Sequence, residues 1–170
     1  MAADRPLYRM AVRLFGVLPE WLQDLIAHFV SPSFYVGTSP FVTRDDGRLL
    51  LVRHSYKPAW GTPGGLINRG EEADACAVRE AREEVGLEIE VSGEPTVVVD
   101  PRQRRIEYVC RARVVDGVDP DSFVISSPEI VEIAWFDAND LPELQDHAAE
   151  SLVALLRAEM HRGAQPPDPT

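Results

Sequence analysis

The sequence predicts an α/β (α+β) fold in which helices cover a mixed β-sheet. Three observations carry this expectation. Strand-like runs recur from Phe34 to Asp137, a helix over about 71–86 interrupts them, and a second amphipathic helix closes the ordered chain. The length of 170 residues suits one domain able to bury its own core. With 45% apolar and 26% charged residues, the composition is that of an ordinary globular protein.

Each element has its own warrant. Residues 1–32 read as a helical extension, residues 33–162 as the main domain and residues 163–170 as a Pro-rich disordered tail. Arg5, Arg9 and Arg13 recur every four residues and make a basic helical stripe. Pro19 opens a second helix through WLQDLIAHFV, with Glu20 in its first turn. Two roles are open for this extension: covering the core or a dimer partner, or lying on an anionic membrane. FYVGTSPFVTR and RLLLVRH are strand-like and are joined by Asp45-Asp46-Gly47, a hairpin signal. Ser55 to Leu66 is a Gly- and Pro-rich loop. The helix that follows ends at Gly86, a C-terminal glycine cap. LEIEVSG with TVVVD, RIEYVCRARVV and EIVEIAWFD supply further strands. Ala138 to Leu144 reads as a turn with a short helix, and AAESLVALLRAEM as the final helix.

Charge and cysteine content narrow the function. A net charge of -11 repels nucleic-acid phosphates, so no nucleic-acid partner is expected. A small anionic ligand would need a cation to bridge it to so acidic a chain. Cys76 and Cys110 form no C-x-x-C and read as reduced, buried, small apolar residues. That fits a cytoplasmic protein. No apolar run has the roughly 18 residues of a membrane span, and the N-terminus shows no secretory signal. The four histidines, at 28, 54, 147 and 161, show no ligand spacing and are expected not to bind metal.

The central helix gathers carboxylates on an element that must also pack. At about 100° per residue, Glu80, Glu83 and Glu84 fall within about 100° of one another, and Val78, Ala81 and Val85 form the adjoining apolar stripe. Like charges at Glu80 and Glu84, one turn apart, are mutually destabilising. Arg79 is placed to offset Glu83, but the three carboxylates still call for a cation. Oxygen-only ligands suit Mg²⁺ or Mn²⁺.

The spacing around this helix carries a resemblance. Gly65, five residues, Glu71, seven residues, then Arg79-Glu80-Ala81-Arg82-Glu83-Glu84-Val85-Gly86-Leu87 resembles the Nudix box, G-x5-E-x7-R-E-U-x-E-E-x-G-U with U aliphatic. Ala81 is the one soft departure. Upstream, Trp60-Gly61-Thr62-Pro63-Gly64-Gly65 is similar to the family's W-x-x-P-G-G lead-in. Less specific similarity spans about residues 34–157 and includes Trp135-Phe136; residues 1–33 lie outside it.

The resemblance implies a Nudix-type α/β/α sandwich with a mixed sheet, preceded by the helical extension. It implies a hydrolase that cuts a pyrophosphate bond in a nucleoside diphosphate derivative with water and a divalent metal. By position, Glu80, Glu83 and Glu84 would be metal ligands, with the Gly65 carbonyl as a further one. Glu71 and Arg79 match a structural ion pair, and Pro63 and Gly64 the tight turn. The base varies within the family; Glu83, Glu84, Glu129 and Glu132 are the candidates. Arg53, Trp60 and the cluster Arg102, Arg104 and Arg105 are candidate substrate contacts. Pro101 lies close to, but not at, the proline position of ADP-ribose hydrolases. Arg104 stands where dinucleoside polyphosphate hydrolases carry tyrosine, and Tyr108 comes too late. A coenzyme A signature is absent. The expected order is therefore ADP-ribose or a nucleotide sugar, then a nucleoside triphosphate. The alternative is a Nudix-fold sensor that binds a nucleotide without cutting it. A homodimer through the N-terminal helices or the sheet is a further expectation.

Overall fold

The computed structural model describes residues 10, 13–30 and 33–164. The chain divides into two compact units, Met1–Phe34 and Tyr35–Thr170. In the first, residues 13–16 are helical and α1 spans Glu20–Val30. Pro19 opens α1, as its fixed φ and missing N–H favour: its carbonyl accepts from Leu22 N at 2.9 Å and Gln23 N at 3.1 Å. Gln23 Nε2 also donates to Leu18 O at 2.8 Å. Arg5 and Arg9 of the basic stripe lie outside the described residues, as does most of the expected tail. No helix among the described residues is long and apolar enough to cross a membrane.

The second unit is built on strands β1 (Tyr35–Thr43), β2 (Leu49–His54), β3 (Trp60–Gly61), β4 (Ile89–Asp100), β5 (Arg105–Val114) and β6 (Ile130–Phe136). The path runs β3-β2-β1-β5-β4, and β6 pairs with β2. β1 lies parallel to β5, from Tyr35 opposite Arg105 to Thr43 opposite Arg113. The other pairings are antiparallel. The Asp45-Asp46-Gly47 hairpin forms, with Gly47 at φ +84°. It pairs Thr43 with Leu49 and then opens, so that β2 runs with β6 and β3. Pro40 sits in the buried stretch of β1 at no expense to the β5 ladder. Val36 O and Thr38 N bond to Ile67 N and Gly65 O, so even-numbered backbone groups of β1 face away from β5. LEIEVSG and TVVVD join into one strand, β4, with its register broken between Ser92 and Thr96.

Helix α2 (Ala73–Val85) covers one face of the sheet and α3 (Asp146–Gly163) packs on β4, β5 and β1. Val42, Leu50, Val52, Ala81, Val85, Leu87, Ala112 and Ile133 form one core; Phe41, Leu49, Val109 and Leu155 form the other. Of the buried residues of α2, Cys76, Ala77 and Ala81 are small, which lets the helix approach β1 closely: Cys76 Sγ is 3.6 Å from Thr38 Oγ1. This explains alanine at 81, where a bulkier aliphatic side chain would push the helix off the sheet. Gly86 caps α2 at φ +69°, its N–H donating to Arg82 O at 3.1 Å. Both cysteines are free and buried, and burial pushes the Cys110 thiol up to about 12. The short helix expected in 138–144 does not form. Asp137 Oδ1 binds Asn139 N at 2.8 Å and Nδ2 at 3.1 Å in a side-chain turn, and Pro142 disfavours a helical Leu141.

Candidate active site

The turn at Gly64 and Gly65 is held between β1 and α2. Thr38 N donates to Gly65 O at 2.9 Å, and Gly64 N donates to Glu84 Oε2 at 3.1 Å. Both glycines are demanded by close approach. A Cβ on Gly64 would stand 2.1 Å from Thr38 O, and one on Gly65 would stand 2.4 Å from Glu80 Oε1. The Gly65 neighbour is the end of a flexible side chain and can move; the Gly64 neighbour is backbone. Gly64→Ala is therefore expected to destabilise the protein by about 3 kcal/mol or more. Urea denaturation checks this, and a loss under about 1 kcal/mol would contradict the packing described.

The carboxylates of α2 meet this turn in unequal environments. Glu84 is 8% exposed. Burial pushes its carboxyl up to about 7; the charges of Glu80, Glu129 and Glu83 push the same way, against the pull of the Gly64 N–H. Glu80 Oε1 accepts from Arg79 Nη1 at 2.7 Å, and Glu83 Oε2 accepts from the same nitrogen at 3.0 Å. Arg79 also forks onto Glu71, Nε to Oε1 at 2.7 Å and Nη2 to Oε2 at 3.0 Å, and its Nη2 donates to Leu66 O at 3.2 Å. Glu71 accepts from Asn68 N at 2.8 Å, closing the loop onto the helix start. The Arg79 bonds, with the Asn68 N–H, hold the Glu71 carboxyl down at about 2.

No three His, Cys, Asp or Glu side chains among the described residues stand as a ready cation cluster. Arg79 holds Glu80 and Glu83 instead. The donor set still fits a hard divalent ion. Glu84 is a buried carboxylate whose ionisation is opposed by three like charges and aided by one N–H, and the glutamates and the Gly65 carbonyl offer oxygen, while the Cys76 thiol is turned to Leu66 O at 3.5 Å. Gly65 O accepts one backbone hydrogen bond, from Thr38 N, and Cys76 Sγ stands 4.0 Å from it.

The other expected site residues separate into two groups. Glu129 comes close enough to oppose the Glu84 charge, and its Oε2 accepts from Tyr56 O–H at 3.4 Å. Glu132 lies opposite Arg53 on β2 and takes both Arg53 Nε, at 2.8 Å, and Nη2, at 2.5 Å. Arg53 is thus engaged with Glu132. Trp60 packs edge-on to Phe136 with ring centroids 4.8 Å apart, and the Arg53 guanidinium sits 6.0 Å from its ring centre. Arg102 and Arg104 are exposed, the latter at φ +54°, whereas Arg105 turns inward.

Arg105 belongs to a cleft of about 300 Å³ beside the Gly64–Gly65 turn, also lined by His54, Lys57, Gln145, His147 and Glu107. Apart from Arg105, these residues were not legible from spacing, because three separate segments supply them. Burial pushes the His147 imidazole down to about 4, helped by the positive charges of Lys57, Arg105 and His54 and resisted by Asp146. The unfolded chain takes this proton first. His147 therefore contributes full stability above its ordinary value near 6.5 and loses it as pH falls toward 4. The loss is on the order of 2 kcal/mol once its partial exposure is discounted. Urea titrations of wild type and His147→Asn at pH 7 and pH 4.5 check this. The gap between the two proteins should move by that amount in favour of the variant at low pH; a constant gap would contradict it.

Comparison with known proteins agrees with this geometry. A solved Nudix hydrolase from Nitrosomonas europaea superposes with a TM-score of 0.64 at 20% identity, over 80% of this chain and 76% of that one. An ADP-ribose pyrophosphatase from Streptococcus suis superposes at 0.57 with 27% identity, over 76% and 92%. The NAD-capped RNA hydrolase NudC of Pseudomonas aeruginosa is 32% identical over 143 residues, 81% of this chain and 48% of that protein, so the chain spans about half of that relative. Residues 34–156 match the model of the NUDIX domain, over the strands, box and helices just described, and the chain belongs to the Nudix hydrolase family.

Proposed function

We propose that the chain is a Mg²⁺-dependent pyrophosphohydrolase, with Mn²⁺ a substitute. Its substrate is a nucleoside diphosphate derivative, with ADP-ribose or a nucleotide sugar ahead of a nucleoside triphosphate. The observation that carries the reading is Glu84, a buried carboxylate bound to the Gly64 N–H and crowded by Glu80, Glu83 and Glu129. A site that gathers negative charge against its own stability is built for a cation. Glu80, Glu83 and Glu84, with the Gly65 carbonyl, would hold it. When bound, the ion neutralises the pyrophosphate and lowers the pKa of the attacking water.

The chain's own groups do the rest. Arg79 gathers Glu71, Glu80 and Glu83 around one guanidinium, so the carboxylates are held together before a cation displaces it from Glu80 and Glu83. Glu129 is the favoured base, because it reaches the carboxylate cluster while Glu132 is engaged by Arg53. The relatives named as ADP-ribose pyrophosphatases support placing ADP-ribose first. Two free buried cysteines support a cytoplasmic setting.

The test is a hydrolysis panel with Mg²⁺ and again with EDTA. It covers ADP-ribose, nucleotide sugars, nucleoside triphosphates, diadenosine polyphosphates and NADH, with products read by mass. Metal-dependent release of a nucleoside monophosphate from ADP-ribose is expected. Tight binding of one nucleotide with no cleavage of any would overturn the hydrolase in favour of a sensor.

A further inference from the structure

We propose that the cleft beside the Gly64–Gly65 turn is a phosphate subsite, in which Arg105 and Lys57 hold a phosphate of the substrate next to the one at the α2 carboxylates. This deepens the pyrophosphohydrolase reading and rests on it. The first observation is Arg105 itself. It is 7% exposed, and solvent does not reach its Nε and Nη2, yet neither makes a hydrogen bond among the described residues. Nε lies 3.3 Å from Glu107 Oε2, close enough for charge attraction but not aligned for a hydrogen bond. Buried guanidinium N–H groups left unpaired are costly, and a fold keeps them for a reason. A guanidinium held by one ion pair can turn toward an arriving anion without surrendering any hydrogen bond from these nitrogens.

The second observation is the company it keeps. Glu107 is shared with Ser39, whose Oγ donates to Oε1 at 2.5 Å, so Arg105 meets it through Oε2 alone. Lys57 reaches the same cleft, where its Nζ donates to the neutral Gln145 Oε1 at 2.9 Å. Gln145 Nε2 spans His54 Nδ1 at 3.2 Å and Ala59 O at 3.1 Å, which fixes the amide and aims its oxygen at the lysine. Two cations against one engaged carboxylate make a positive cavity in a chain of net charge -11. It opens beside the Gly64–Gly65 turn, whose other side faces the α2 carboxylates. A pyrophosphate laid across that turn meets carboxylates suited to a cation on one side and the Arg105 and Lys57 side chains on the other. Arginine's planar fork and the lysine point charge suit phosphate oxygens.

The test separates this subsite from the hydrolase reading. Inorganic phosphate is titrated into the protein in EDTA by calorimetry or amide NMR. Binding is expected, and Lys57→Gln and Arg105→Lys should each weaken it at least about fivefold, while Arg113→Gln, at an exposed position on β5, should leave it unchanged. In the hydrolysis assay phosphate should compete with the nucleotide, and Lys57→Gln should raise KM about tenfold with kcat little altered. Loss of phosphate binding in Lys57→Gln with no nucleotide cut would keep the anion site and overturn the hydrolase reading alone. Absence of phosphate binding, binding indifferent to both variants, or binding that does not compete with a hydrolysed nucleotide would overturn the subsite.

Discussion

Glu84→Gln is expected to lower kcat by two to three orders of magnitude while making the metal-free protein more stable at pH 8. The two effects have one cause. Glu84 is buried, and Glu80, Glu129 and Glu83 oppose its charge. Its folded carboxyl, pushed up to about 7, lies above the ordinary value of 4.5, so ionisation is the unfavourable state. The stability it contributes is full below about pH 4.5 and is lost as pH rises through 7. Above that, the folded protein carries a penalty on the order of 2 kcal/mol. Glutamine keeps an oxygen for the Gly64 N–H and removes the charge, so the penalty disappears. Catalysis needs that charge, and the expected loss matches what removal of one preorganised electrostatic group costs elsewhere, about 10²–10³. Thermal melts in EDTA at pH 5 and pH 8, with kcat in Mg²⁺, check both halves. The variant should gain on wild type only at pH 8. Near-normal turnover would remove Glu84 from the metal set, and an unchanged melt at pH 8 would remove the repulsion. Glu83→Gln is the contrast: Glu83 is over half exposed and bonded to Arg79, so its loss should reduce turnover without the gain in stability.

How much of this was legible in the chain depends on how far apart the partners lie. The box residues come within one turn and one helix. Their spacing alone places Glu80, Glu83 and Glu84 on a shared face, and Gly86 at a left-handed cap. What spacing does not reveal is long-range pairing. Tyr35–Thr43 and Leu49–His54 read as a simple hairpin, but most of β1 runs parallel to β5, seventy residues away. The two late glutamates show the same limit more sharply. Glu129 and Glu132 look alike in SPEIVEIAWF. Only the β2–β6 register sets Glu132 opposite Arg53, and a register shift between Arg53 and His54 leads the chain on to Glu129, whose carbonyl accepts from Ser55 N at 2.8 Å. The phosphate cleft lay furthest out of reach. His54 and Lys57, Arg105 and Glu107, and Gln145 and His147 are unremarkable in their own segments, and the histidines read as bystanders because no ligand spacing joins them.

Arg79→Gln is expected to lower the melting temperature in EDTA by about 5 °C or more, and Mg²⁺ should restore a larger share of stability to the variant than it adds to wild type. Arg79 bonds three carboxylates and one carbonyl with a single guanidinium, setting one positive charge among three negative ones. Its removal leaves Glu71, Glu80 and Glu83 without that counter-charge, with Glu80 beside Glu84. A cation at Glu80, Glu83 and Glu84 supplies the missing charge for Glu80 and Glu83 but not for Glu71, so rescue is incomplete. In wild type the same cation must compete with Arg79 for Glu80 and Glu83, so it adds less. Arg79→Lys divides the roles. It keeps a point charge for Glu80 and Glu83 but cannot reproduce the paired bonds to Glu71, and it should fall between wild type and glutamine in EDTA. Equal Mg²⁺ increments in wild type and Arg79→Gln would mean that the cation does not bind at the carboxylates the arginine holds. The metal would then rest on Glu84 and the Gly65 carbonyl, and Glu80 and Glu83 would be parts of the scaffold that positions them.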